Sequence, residues 1–289
     1  MSEVVIVAPL VLDDVIAPSG SYRIELGGSA TYAALAARHF APTSIAAVVG
    51  DDFPAAYLDR LTGIDLSRVQ RIAGPSFRWS AVQHAGGSTE TRLNDPGATR
   101  GRLPALGELA AAYLVVGALE PALQERIGRG AKFIAIDTMP CYIEEDAPRL
   151  RRVIAGADLV LLTLDEARGL AVAVDAIEVQ RSLGARIVVL KDGENGAVIR
   201  HGSSSFTIPA YRTRVVDPTG AGDAFAGAFV ATLCERGDET AETLDLAARR
   251  GSAAASIAVE DFGARALERA GKALIDERAD ELAHVAVRR

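Results

Sequence analysis

Short apolar runs recur along the chain at Val4–Val7, Ile45–Val49, Tyr113–Val116, Phe133–Ile136, Leu159–Leu162 and Ile187–Leu190. Several are continuous rather than alternating, as expected of strands buried on both faces of a parallel sheet. Ala- and Leu-rich stretches of helical character separate them: Ala30–His39, Ala55–Leu61, Pro121–Gly128, Asp146–Ala155, Leu164–Ala171 and Ala176–Leu183. The βαβα order predicts an α/β fold with a doubly wound, mostly parallel sheet flanked by helices. Helices are expected again after Gly220, at Ala224–Arg236, Glu239–Ala258 and from about Ala264.

Two stretches depart from this pattern. Val15–Leu26 is strand-like, with Pro18, Ser19 and Gly20 at a turn. Pro75–Leu93 reads as a hairpin: Phe77, Trp79, Ala81 and Gln83 alternate with Arg78, Ser80 and Val82, and Gly86-Gly87 supplies the turn. Antiparallel strands beside a parallel sheet predict a small β lid over its active edge.

Composition narrows the function classes. With 49% hydrophobic and 24% charged residues, the 289-residue chain is ordinary globular protein. A net charge of −7 argues against nucleic acid as a partner, since phosphate backbones need clustered Lys and Arg. Two cysteines, Cys141 and Cys234, are too few for a disulfide framework. Four scattered histidines have no zinc-site spacing. The first residues read as a strand rather than a signal peptide, and the apolar run Ala224–Cys234 is too short to span a bilayer. These features predict a cytoplasmic protein without a membrane partner.

The chemistry concentrates at Val216-Asp217-Pro218-Thr219-Gly220-Ala221-Gly222-Asp223. Gly220 and Gly222 permit a tight turn and close approach of backbone to a ligand. The free N–H groups and positive dipole end of the following helix make an anion site. Asp223 beside that site is placed to take a proton from an attacking hydroxyl while Gly220, Ala221 and Gly222 stabilise a transferred phosphoryl group. A P-loop is absent, and Phe225 stands where a dinucleotide fingerprint needs its third glycine.

This stretch resembles the Asp-Thr-x-Gly-Ala-Gly-Asp signature of the ribokinase-like (pfkB) carbohydrate kinase family, with Pro218 where Thr is usual. Similarity continues through Leu12-Asp13-Asp14, Gly27-Gly28, Val49–Phe53, Gly63–Asp65 and Lys191–Ala197. Gly27–Tyr32, Asp137–Met139 and Val259–Gly263 look like a subgroup of sugar kinases with no assigned substrate. The resemblance implies one kinase domain over residues 1–289, with a lid formed by about 15–27 and 75–93. It implies ATP, Mg²⁺ and a small sugar or nucleoside as ligands, and a homodimer joined through the lid.

Carried over residue by residue, the resemblance makes Asp223 the catalytic base. Asp13 binds substrate hydroxyls at the end of the first strand, with Asp14 as the competing choice, and Gly27 and Gly28 lie under the substrate. Tyr32 and Ser29 stand where the family has other polar residues, so the substrate's identity does not carry over. Thr163 takes the place of the usual Asn in Asn-x-x-Glu; Glu166 remains, to hold magnesium through water. Lys191, Gly193, Gly196 and Thr219 would line the nucleotide, with Lys191 equally a solvated residue after its strand; Gly251 and Ser256 would flank adenine, and Asp217 with the loop near Gly263 are candidates for K⁺. Gly251 and Ser256 serve helix packing equally well. Trp79 is either a stacking platform or lid packing, Glu120 either a substrate carboxylate or a helix start, and Asp137 either approaches the phosphate–metal region or simply ends its strand. A catalytically idle sugar- or nucleotide-binding protein and a hydroxymethylpyrimidine-type kinase are the alternatives on the same fold.

Overall fold

The computed structural model describes residues 2–84, 89–127, 130–170 and 175–283. The Gly86-Gly87 turn, the Gly128 and Ala171 helix ends and the tail beyond 283 lie outside the described residues. The chain opens with β1 (Glu3–Val7), β2 (Val11–Ala17), β3 (Gly20–Gly27), α1 (Ser29–Ala37), β4 (Thr43–Val49), α2 (Ala55–Asp59) and β5 (Asp65–Arg71). There follow β6 (Arg78–Gln83), β7 (Thr89–Asp95), β8 (Ala112–Val116), α3 (Pro121–Gln124), β9 (Phe133–Ile136), α4 (Pro140–Ala155), β10 (Leu159–Thr163) and α5 (Leu164–Gly169). The last elements are α6 (Ala176–Leu183), β11 (Ile187–Lys191), β12 (Ala197–His201), β13 (Ser204–Ile208), α7 (Ala221–Arg236), α8 (Ala241–Ala258), α9 (Arg265–Arg269) and α10 (Lys272–Ala283).

Nine strands form the large sheet in the order β13-β12-β11-β10-β9-β8-β1-β4-β5. From β11 to β5 all neighbours are parallel. The continuous apolar runs follow from burial on both faces. On β1, Val4 and Ile6 join the core beneath α1, α7 and α8, while Val5 and Val7 join the core on the opposite face with α4 and α6. Helices α1 and α7 meet backbone to backbone: a Cβ on Gly227 would lie 2.0 Å from the Ala33 carbonyl oxygen.

A second sheet has the order β3-β2-β6-β7. Two antiparallel hairpins, β2–β3 and β6–β7, are joined through a parallel pairing of β2 with β6. This is the expected lid.

Three strands escape the hydrophobic pattern. β5 is an edge strand of the large sheet carrying Asp65, Arg68 and Arg71, so it has no apolar run. β12 and β13 form an antiparallel pair at the other end of the sheet, where Ser204 and Thr207 of the edge strand β13 are exposed. Helix α7 starts at Ala221 rather than Ala224, which puts Asp223 inside its first turn. Helix α4 reaches back to Pro140 through a kink at Asp146.

Candidate active site

In open parallel sheets, ligands bind beyond the carboxyl ends of the strands, where the strand order reverses. Here the order reverses at β1 and β8. Residues just past the ends of β1, β8 and β9, together with Thr163 and Lys191 at the ends of β10 and β11, form one wall of a crevice of about 320 Å³. The lid underside forms the other wall, through Asp13, Trp79 and Asn94.

The floor is the turn into α7. Gly220 caps the helix in the left-handed region with φ 77°, and its carbonyl accepts the Ala224 N–H at 2.9 Å. A Cβ there would lie 2.2 Å from the Tyr32 ring, so only glycine fits. Asp223 is the third residue of α7 and opens onto the crevice. Burial, with the nearby Asp137 carboxylate, raises its pKa to about 6, against the opposing pull of Lys191 and the Ser29 hydroxyl.

Lys191 Nζ bonds both Asp137 oxygens, at 3.1 and 3.2 Å. Burial alone would lower its pKa, but Asp137 and Glu166 outweigh that and keep it charged. A Cβ on Gly222 would lie 3.0 Å from the same Nζ, so the ammonium abuts the anion turn. Glu166 is buried, which lifts its pKa to about 7, with Lys191 opposing and Asp137 reinforcing the rise. It forms a capping box with Thr163: the Thr163 N–H donates to Oε2 at 2.7 Å and the Glu166 N–H to Thr163 Oγ1 at 3.2 Å. Thr in place of Asn thus still fixes the glutamate.

Asp13 is not at the end of the first strand. It lies within β2, paired with Glu25 on one side and Trp79 on the other. The alternation Val11, Asp13, Val15 puts it on one face of the lid strand. Its Oδ1 is buried without a partner among the described residues. Burial first, then Asp217, hold its pKa well above the ordinary carboxylate value, against the Gly28 N–H. A Cβ on Gly27 would fall 1.8 Å from Asp13 Oδ2, which explains the first glycine of the pair.

Four other crevice residues bear buried polar atoms that lack partners among the described residues: Tyr32 Oη, Trp79 Nε1, Asn94 Oδ1 and Thr138 Oγ1. Such atoms are rare in folded proteins, and their convergence on one crevice marks where a polar ligand would complete them. Sequence reasoning missed Asn94 and Thr138. The signal for Thr138 was its place beside Asp137; Asn94 falls one residue beyond the expected hairpin, and its pairing with Trp79 emerges only from the strand register.

Of the other expected residues, most lie outside the crevice lining. Glu120 flanks the start of α3, accepts the Gly101 N–H at 3.0 Å and lines a small separate cavity instead of the crevice. Asp14 is on the solvent side of β2, where it accepts the Ile24 N–H. Gly196, at φ 95°, is demanded by the Ile208 carbonyl 2.0 Å from where its Cβ would be, whereas Gly193 has open space. Gly251 packs on the Phe225 ring. Ser256 donates to the Ala253 carbonyl and accepts from Arg278. Asp217 is fully buried with three donors on its oxygens: Thr219 N–H, Gly263 N–H and the Tyr22 hydroxyl. These bonds make Asp217 a clasp between its own loop, the lid strand β3 and the loop at Gly263. Thr219 lines the crevice and accepts from Gln83 of the lid at 3.0 Å.

Among the described residues no cluster of His, Cys, Asp or Glu could by itself hold a metal, and no helix is long and apolar enough to cross a membrane. The chain is 31% identical over 248 residues to the cytidine kinase of Thermococcus kodakarensis, covering 80% of this chain and 88% of that one. Its fold superposes on the Burkholderia thailandensis nucleoside kinase in complex with inosine, with TM-score 0.77, 21% identity and full coverage of both chains. The aminoimidazole riboside kinase of Salmonella enterica, complexed with aminoimidazole riboside and an ATP analogue, gives TM-score 0.76 at 20% identity, covering 96% of this chain and 99% of that one. The model of the pfkB family carbohydrate kinases matches residues 5–270, and the chain belongs to that family of ATP-dependent sugar and nucleoside kinases.

Proposed function

We propose that this protein transfers the terminal phosphoryl group of ATP to the 5′-hydroxyl of a ribonucleoside, with Asp223 as general base. The observation that carries the reading is the placement of Asp223. Its carboxylate opens on the crevice in the first turn of α7, next to the free N–H groups that follow Gly220. The acceptor hydroxyl gives its proton to Asp223 as its oxygen bonds the terminal phosphorus. The bond from that phosphorus to the bridging oxygen breaks, and ADP leaves. The Gly220, Ala221 and Gly222 backbone, at the positive end of α7, holds the charge of the moving group.

A pKa near 6 keeps Asp223 ionised at neutral pH yet basic enough to accept the proton. Lys191 beside Gly222 supplies positive charge to the same turn. The residues present fit a magnesium ion arriving with ATP: Glu166 uses Oε2 in its capping box, and Oε1 has no hydrogen-bond partner among the described residues. Bound with ATP, that ion would neutralise phosphate charge. Asp13, with a buried unpartnered Oδ1, is placed to bind acceptor hydroxyls.

A nucleoside is favoured over a free sugar because Trp79 and Phe77 line the crevice, and aromatic surface gains more from a base than from a sugar. The cytidine kinase similarity supports the same choice. The test is ADP release with a panel of free sugars and ribonucleosides. Turnover of sugars alone would overturn the nucleoside, and no turnover of any acceptor would leave an idle binding protein.

A further inference from the structure

The β2, β6 and β7 pairings put Asp13 opposite Trp79 and Trp79 opposite Asn94. Directly paired residues share a face of the sheet, and all three line the crevice. They make one rung across three strands: carboxylate, indole, amide. Adjacent strands lie about 4.8 Å apart, so the rung spans about 10 Å between its outer strands. A sugar ring spans one such spacing; a ribose with its base spans two.

Each member offers a buried polar atom without a partner among the described residues: Asp13 Oδ1, Trp79 Nε1 and Asn94 Oδ1. The amide is anchored from behind, since Asn94 Nδ2 donates to Cys141 Sγ at 3.6 Å. With the nitrogen so engaged, Oδ1 is the free end, and it can only accept. Its ligand must bring an N–H to the far end of the rung from Asp13. A sugar hydroxyl held at Asp13 does not reach there, whereas the outer edge of a base attached to that sugar does.

Resting on the nucleoside reading above, we infer that Asn94 is the specificity-determining residue for the base, and that its Oδ1 accepts a hydrogen bond from an exocyclic amino group. The rung then reads its ligand end to end: hydroxyls at Asp13, base at Trp79, amine at Asn94. An unmet buried acceptor costs more than a missing contact on a surface, so the carbonyl discriminates against bases that lack a donor there.

The test compares cytidine and adenosine, each with the analogue lacking only its exocyclic amine, in the wild type, Asn94→Ala and Asn94→Leu. For one or both bases the wild type should favour the amino compound in kcat/KM by roughly 10- to 100-fold. Both variants should abolish that preference and leave the KM for ATP unchanged. A preference that survives in the variants, or no preference in a wild type that phosphorylates nucleosides, overturns the role of Asn94 while the nucleoside reading stands. A wild type that phosphorylates free sugars alone removes the nucleoside reading and this inference with it. Should Ala and Leu prevent folding, Asn94→Asp keeps the shape and an acceptor; loss of the amino preference in that variant would overturn the inference.

Discussion

Lys191 Nζ lies 3.1 Å from Asp137 Oδ2, and the two side chains pull the pKa of Asp223 in opposite directions. The ammonium ends β11 and the carboxylate follows β9, so parallel strands on either side of β10 deliver both charges to the start of α7. The proton affinity of the proposed base is therefore a property of the sheet edge as well as of the turn that bears Asp223.

Asp223→Asn should cut turnover by on the order of 10²- to 10⁴-fold while nucleotide affinity stays near wild type. In the wild type, turnover should fall as pH drops through about 6, where Asp223 takes up its proton. The stability effect has the opposite sense. A raised folded-state pKa gives a contribution fully present below the ordinary value of 3.8 and lost as pH rises through about 6. At pH 7.5 the Asn variant, free of that loss, should melt above the wild type, and the gap should close in acid. Near-normal turnover in the folded variant would remove Asp223 from the role.

Lys191→Met should move the acid limb of the turnover profile to higher pH, because the charge that favours the Asp223 carboxylate is gone. Asp137→Asn should move it to lower pH. Limbs fixed in both variants would mean that another group titrates. The limb position is the informative readout, since a role in phosphate contact alone would change the KM for ATP without moving it.

How far the site was legible in the sequence follows from where its residues sit. Asp223, Gly220 and Gly222 fall in one contiguous stretch whose chemistry is local, so turn and helix start could be read together. Lys191, Glu166 and Asp137 sit at or just after the ends of apolar strands, where periodicity alone points to the crevice. Asn94 and Thr138 were missed because what distinguishes them is an unmet hydrogen bond, and that exists only once strands pair. Asp13 was recognised as a candidate but misplaced, because Pro9 and Leu10 separate two strands in what reads as one apolar run. Glu120 takes the helix-start alternative: it flanks α3 just beyond a strand end, and its carboxylate holds the Gly101 N–H.

Asp13→Ala should raise the acceptor KM far more than that for ATP. Asp13 lines the crevice with an Oδ1 that has no partner among the described residues, and its loss leaves acceptor hydroxyls unpaired, at roughly 1–3 kcal/mol each. A collapse of ATP affinity with acceptor affinity intact would return Asp13 to a structural role.

The lid also bears on assembly. Asp13 and Asn94 face the crevice, so by strand alternation Ile16 on β2 and Leu93 on β7 point to the other side of the sheet. Both are exposed there, at 59% and 44%. Ile24 on β3 is exposed too and adopts φ 51°, a left-handed value that β-branched residues rarely take, held by its N–H to Asp14 and its carbonyl to the Tyr57 hydroxyl. β3 and β7 are both open edges of this four-stranded sheet. Open edges and an apolar outer face are a liability unless covered. A second copy of the lid would cover them, each buried side chain contributing roughly 1.5–3 kcal/mol. The wild type should therefore be a dimer by light scattering at micromolar concentration. Ile16→Glu with Leu93→Glu should give a folded monomer, since both side chains point away from the catalytic crevice. A monomeric wild type, or a double variant that remains dimeric, would place the subunit contact elsewhere or remove it.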